Sequence, residues 1–314
     1  MQSYKPWPEP DEATGAAGRT LTLLAALTGA VLISFSAIFF ALSEVTPITG
    51  SFFRAAYALP VLFVLWMIRR NRDQRPMSRR WIAVGAGFAL GADIVSWHTS
   101  IDFIGAGLAT LLANTSVIFV ALGAWILLGE RPRTTTMVAI PVILFGVTLV
   151  SGLGQDDPFG TDPIRGTLFA LMAAVFYATF LLGFRHANNE QAPAAGPLME
   201  ATLGAAIVSL VIGLVGSAID FEIGFPSHGW LLALAVGAQV VAWLMIGYAL
   251  PRLPAVETAT IILIQPALTM VWGAIIFDER PSALQVVGAA IVLTGVAFVA
   301  LVRARRQEAE PAVV

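Results

Sequence analysis

Arg54, Asp93 and Glu200 have the most capacity for chemistry in this chain, because each sits inside a long apolar run. A charge at the centre of a membrane-spanning helix costs about 2.5–3.5 kcal/mol on insertion scales, so such residues turn toward one another, the bundle interior or a wet cavity. Arg54 and Glu200 carry opposite charges at matching places in two similar stretches, Gly50 to Arg54 and Gly196 to Glu200. Two readings stand. Either they form a structural ion pair or sit in separate local networks, or Arg54 holds a substrate carboxylate while Glu200 holds an amine or takes a proton.

A second group is Asp93, Trp97 and His98. Asp93 and Trp97 are four apart and share one helix face, with His98 on the neighbouring one. His98 either titrates near neutral pH and couples transport to protons, or is a hydrogen-bonded packing residue. Glu200, Asp93 and His98 are therefore the proton-coupling candidates. Asn114 and Ser116, with Thr260 and Gln265, place polar groups at related depths in two apolar runs. Inter-helix hydrogen bonds of ~0.6 kcal/mol each explain them, and so does the lining of a cavity. Tyr177, Gln239 and Trp243 could form a polar-aromatic wall; for Trp243 plain packing is the simpler reading. Enzyme motifs are missing: there is no glycine-rich phosphate loop and no HExxH, and His98, His186 and His228 lie far apart. The absence of cysteine excludes disulfides, thiolate catalysis and cysteine metal sites. No cofactor, metal or nucleic acid is expected.

The elements that must position these residues follow from composition. Of 314 residues 57% are hydrophobic and 12% charged, with net charge −2 and mean hydropathy +0.80. Soluble domains are about 25% charged, and about 20 apolar residues span a bilayer. Ten such runs are expected, over 20–43, 48–68, 81–103, 106–128, 134–152, 165–184, 196–217, 229–250, 255–277 and 282–302. The pattern predicts an all-α polytopic membrane protein. Placing the N-terminus inside puts all of the eighteen Lys and Arg except Arg54, Arg165 and Arg280 on the cytoplasmic side, as the positive-inside rule favours. Both termini are then cytoplasmic.

The chain also repeats itself. Residues 110–152 and 259–301 each read as an apolar run, an acid-Arg-Pro hinge and a second apolar run, with Glu130-Arg131-Pro132 falling on Glu279-Arg280-Pro281. Phe35 to Phe39 likewise resembles Phe176 to Phe180. Five helices per half is an odd number, so the halves enter the membrane in opposite senses, an organisation typical of secondary transporters. The expected layout is a tail over 1–19, a first repeat over 20–152, an external linker over 153–164, a second repeat over 165–302 and a tail over 303–314. Pro141 and Pro266 predict kinks, and the hinge acids Glu130 and Glu279 are expected to cap helices or pair locally. Gly87 and Gly91 permit close helix contact.

Residues 90–132 carry a resemblance, in Trp97-His98, the run from Ala109 to Asn114, and Gly129-Glu130-Arg131-Pro132. They resemble the EamA domain of the drug/metabolite transporter superfamily, and the copy ending Asp278-Glu279-Arg280-Pro281 is similar but more divergent. The resemblance covers about 23–152 and 165–302. It implies ten helices around a central cavity, alternating access and movement of small metabolites. One departure is Ser116-Val117, where many relatives have a proline while the second copy keeps Gln265-Pro266; the kink should then be asymmetric. The expected function is secondary transport in a bacterial inner membrane by rocking one half against the other, with amino-acid export first and proton-coupled efflux of lipophilic cations second. Its partners would be a small-molecule substrate and the lipid bilayer, with the protein a monomer or homodimer.

Overall fold

The computed structural model describes residues 16–129, 132, 134–187, 194–249 and 252–309, and these are helical, with no strand among them. Glu130, Arg131 and most of the expected N-terminal tail lie outside the described residues. The helices are α1 (Ala16–Ser34), α2 (Ser36–Ser43), α3 (Pro47–Arg69), α4 (Met77–Ala113), α5 (Ser116–Leu128), α6 (Thr134–Val150), α7 (Pro163–Ala187), α8 (Ala195–Val215), α9 (Ser227–Ala233), α10 (Trp243–Ala249), α11 (Ala255–Ile276) and α12 (Ala283–Ala309). A π-helical stretch, Leu234–Ala242, joins α9 to α10.

Local chemistry sets several boundaries. Thr46 accepts from the Thr49 N–H and Pro47 opens α3, a side-chain cap followed by a residue with no donor to lose. Ser282 and Gln285 form a reciprocal capping box at the start of α12. Gln285 is fully buried and also holds the Phe159 backbone and the Val150 carbonyl, fastening the linker to this helix end.

Six helical stretches are long and apolar enough to cross a membrane, or seven if the bent pair α4–α5 is one span. This differs from a plain count of ten. The expected third and fourth spans part within α4 at Gly105 (φ 76°, ψ 170°), a kink between two helices in a backbone conformation that only glycine adopts readily. The second break is at Asn114–Thr115, where α5 departs by 44°. Asn114 Nδ2 donates to the Thr110 carbonyl and Thr115 Oγ1 to the Leu112 carbonyl, giving the turn local partners. The fifth span appears as a shorter apolar helix, Thr134–Val150, and the ninth lies within α11, Ala255–Ile276.

α11 runs unbroken through Pro266, whereas the copy with Val117 in its place is the one that breaks.

Packing crosses the two repeats. Gly87 and Gly91 of α4 lie against Ala201 and Ala205 of α8, and Gly204 lies against the Val84 carbonyl. The two helices therefore run parallel, backbone against backbone. α7 lies antiparallel to α4, with Gly183 against Ala86 and Gly166 against Ile104, and α6 meets α12 through Gly146 and Gly288.

Candidate functional site

A cavity of about 620 Å³ opens between α1, α3, α4, α5, α7, α10, α11 and α12. The face of α4 carrying Leu90, Asp93, Ile94 and Trp97 forms one wall, at the spacing of a single helix stripe. Arg54 comes from α3, Tyr177 from α7, Trp243 from α10 and Gln265 from α11, and the break between α4 and α5 adds Asn114 and Ser116. Seven of the ten expected site residues thus share this wall: Arg54, Asp93, Trp97, Asn114, Tyr177, Trp243 and Gln265.

Arg54 is buried and held on two sides. Its Nε donates to Gln239 Oε1 at 2.9 Å and its Nη1 to Ser36 Oγ at 3.2 Å. The guanidinium lies 5.8 Å from the centre of the Trp97 ring, within range of a cation–π attraction. Nη2 has no protein partner among the described residues, so the outer end of the fork is left for the cavity. Asp93 is also buried and, among the described residues, makes no hydrogen bond or ion pair. Arg54 and Asp93 lie within electrostatic reach of each other without touching. The cavity therefore offers a cation and an anion, each with bonding capacity to spare.

Three expected site residues are elsewhere. Glu200 is not on the cavity wall, which corrects its pairing with Arg54 in a substrate clamp. Its Oε2 is 2.9 Å from Arg75 Nη2 and its Oε1 is 3.9 Å from Arg80 Nε. Asp73 completes the cluster, taking a two-pronged bond from Arg75 at 2.9 Å on each side. Glu200 lies near the start of α8, beside the loop that follows Arg72, so its helix end meets counter-charges before it reaches the cavity. Burial pushes the Asp73 carboxyl up, but the Arg75 hydrogen bonds and the charges of Arg75 and Arg80 outweigh it and hold it below the ordinary aspartate value. Burial likewise works against the Arg75 charge, and its bond to Asp73 and the neighbouring carboxylates more than restore it.

His98 is fully buried off the cavity, stacked 3.8 Å from the Phe40 ring with Nδ1 2.9 Å from Ser51 Oγ. That is the packing arrangement. Gln239 stands behind Arg54 rather than on the wall, with Nε2 donating to Thr202 Oγ1 at 3.3 Å. Trp243 does double duty, facing the cavity and meeting Phe180 edge-on at 6.3 Å.

Ser36 was not singled out from the sequence. A signal existed: it aligns with Tyr177 in the Phe35–Phe39 and Phe176–Phe180 match, and both line the cavity. Asp73 and Arg75 carried no such signal, since a basic loop reads as a topology determinant.

Glu279 marks a separate contact between the repeats. Its carboxylate accepts from the backbone N–H of Ala106 at 2.6 Å and Gly107 at 3.0 Å, capping the helix that restarts after Gly105. Burial pushes this carboxyl above its ordinary value against the pull of the two donors.

The profile of the EamA-like transporter family matches residues 17–152 and 164–301, two copies covering most of the chain. The chain belongs to the EamA-like transporter family. The Salmonella typhimurium threonine/homoserine exporter RhtA is 28% identical over 238 residues, 75% of this chain and 74% of that protein. An Archaeoglobus fulgidus protein described as an uncharacterized transporter is 23% identical over 284 residues, 87% of this chain and 95% of its own. A solved structure 19% identical, with a TM-score of 0.61, covers 92% of this chain and 99% of its own and shares the fold. This EamA-like transporter is thus an integral membrane protein whose named relatives are transporters rather than enzymes.

Proposed function

We propose that this transporter is a ten-span secondary carrier of the bacterial inner membrane, with both termini cytoplasmic and inverted repeats, that exports a small amino-acid-like zwitterion. The observation that carries the reading is the cavity pair: among the described residues, Arg54 has an unengaged guanidinium end and Asp93 has no hydrogen-bond partner. A carboxylate would dock on Arg54 and an ammonium on Asp93, replacing water that the two charges otherwise hold. The naming of RhtA as a threonine/homoserine exporter supports the same class. The parallel course of α4 and α8 and the antiparallel course of α4 and α7 fit two five-helix halves of opposite sense.

The test is binding to purified protein and export in proteoliposomes. Truncating one partner of a buried charge pair costs about 2 kcal/mol or more, roughly 30-fold. Arg54→Leu should weaken zwitterion binding by that much, and Asp93→Asn should do so for zwitterions but not for an analogue lacking the amine. Unchanged zwitterion export in both variants overturns the reading. The second reading, proton-coupled efflux of lipophilic cations, draws on Asp93 beside Trp97, Tyr177 and Trp243. Arg54 in the same cavity repels such a cargo and places this reading second.

A further inference from the structure

We infer that Gln239, from its π-helical segment, is the positioning residue that aims Arg54 at the substrate and restricts how a carboxylate can approach. The inference rests on the zwitterion reading of the cavity.

Gln239 is buried, and both ends of its amide are engaged. Oε1 accepts from Arg54 Nε at 2.9 Å, and Nε2 donates to Thr202 Oγ1 at 3.3 Å. Thr202 is itself fully buried on α8, the helix locked against α4 by glycine contacts. The amide is therefore not a loose neighbour but a strut between a rigid helix and the guanidinium. It sits in Leu234–Ala242, where the helix widens to π geometry. π turns are rare in helices and recur at functional sites, and this one carries the residue that bonds Arg54.

The consequence for recognition is geometric. A guanidinium can take a carboxylate side-on, through Nε and one Nη, or end-on, through both Nη atoms. Gln239 occupies Nε, so the side-on approach is closed. Ser36 takes one hydrogen of Nη1, and an Nη1 hydrogen with both of Nη2 remain. The substrate carboxylate is directed end-on, beside the Trp97 face that lies 5.8 Å from the guanidinium carbon. Because Arg54 belongs to the first repeat and Gln239 and Thr202 to the second, the binding geometry is set jointly by both.

Gln239→Glu tests this with little change of shape. The new carboxylate would pair with Arg54 and satisfy its charge in place. Binding of an amino acid should fall at least tenfold, while the corresponding amino-acid amide, which lacks the carboxylate, binds as well as before or better. Gln239→Leu should weaken only the amino acid, and Gln239→Asn should fail to restore it because its amide is shorter. A structural role alone would lower both ligands together, or only the unfolding midpoint. Equal losses for amino acid and amide, or no loss for either, overturn the positioning role. If wild-type protein binds no amino acid, or Arg54→Leu changes nothing, the zwitterion reading itself has failed. If Arg54→Leu abolishes binding while Gln239→Glu and Gln239→Leu leave it intact, only the inference about Gln239 has failed.

Discussion

Two buried charge groups of this protein are built on opposite plans. In the cluster of Asp73, Arg75, Arg80 and Glu200, each carboxylate faces two guanidinium groups and the charges sum to zero within a few ångströms. In the cavity, Arg54 is braced by neutral groups, Gln239 and Ser36, and Asp93 has no partner among the described residues. Desolvation penalises both groups, and the first has ion pairs within the protein to set against it. A charge completed inside the protein serves the fold, and one left incomplete is available to a ligand. The same distinction separates Glu200 from Arg54, although they occupy matching positions in the two repeats.

The largest expected effect breaks the completed group. Arg75→Ala leaves Asp73 and Glu200 short of a counter-charge, and breaking a buried pair in this way costs about 3–5 kcal/mol. Unfolding in detergent should show that loss, while substrate affinity of the folded fraction stays unchanged. A fall in affinity at constant stability would erase the contrast between the two groups. A smaller effect comes from acid. Because the Asp73 carboxyl is held below its ordinary value, its contribution is complete above about pH 4, the unfolded aspartate value, and is lost as pH falls through the folded value. Unfolding midpoints measured against pH should therefore drop less steeply below pH 4 in Asp73→Asn than in the wild type. Equal slopes would mean that the cluster does not hold Asp73 charged. The smallest effect sharpens the contrast from outside. Arg280 pairs with Asp278 at 2.9 Å, but both are exposed, so Arg280→Ala should change stability by less than about 1 kcal/mol.

The cavity was largely legible in the sequence because lipid penalises a stranded charge. That penalty points at Arg54 and Asp93 directly, and helix periodicity adds Trp97. The repeat places Tyr177 against Ser36 and Gln265 against Ser116 at matched depth. Repeat alignment did not show where a side chain meets its neighbours, so a pairing of Glu200 with Arg54 and a separate network for each stood open together, and Arg75 beside Glu200 decides for the separate networks. Arg75 was invisible because a basic loop looks alike whether its arginines are solvated or folded inward. The π turn at Gln239 has no signature in an apolar run. Gly105 stands between two expected spans, but nothing in its apolar surroundings foretold the positive φ by which it parts the two helices within α4.

The glycine contacts between α4 and α8 bear on how the molecule can move. Rocking of one sequence repeat against the other is the simplest motion that two homologous halves suggest. Here close backbone approaches join the repeats: Gly87 and Gly91 to Ala201 and Ala205, Gly204 to Val84, and Gly146 to Gly288. Sliding along these seams would drive carbonyls into Cα atoms with no side chain between them to yield. The seams of this bundle are therefore cut across its internal duplication, each joining a piece of one copy to a piece of the other.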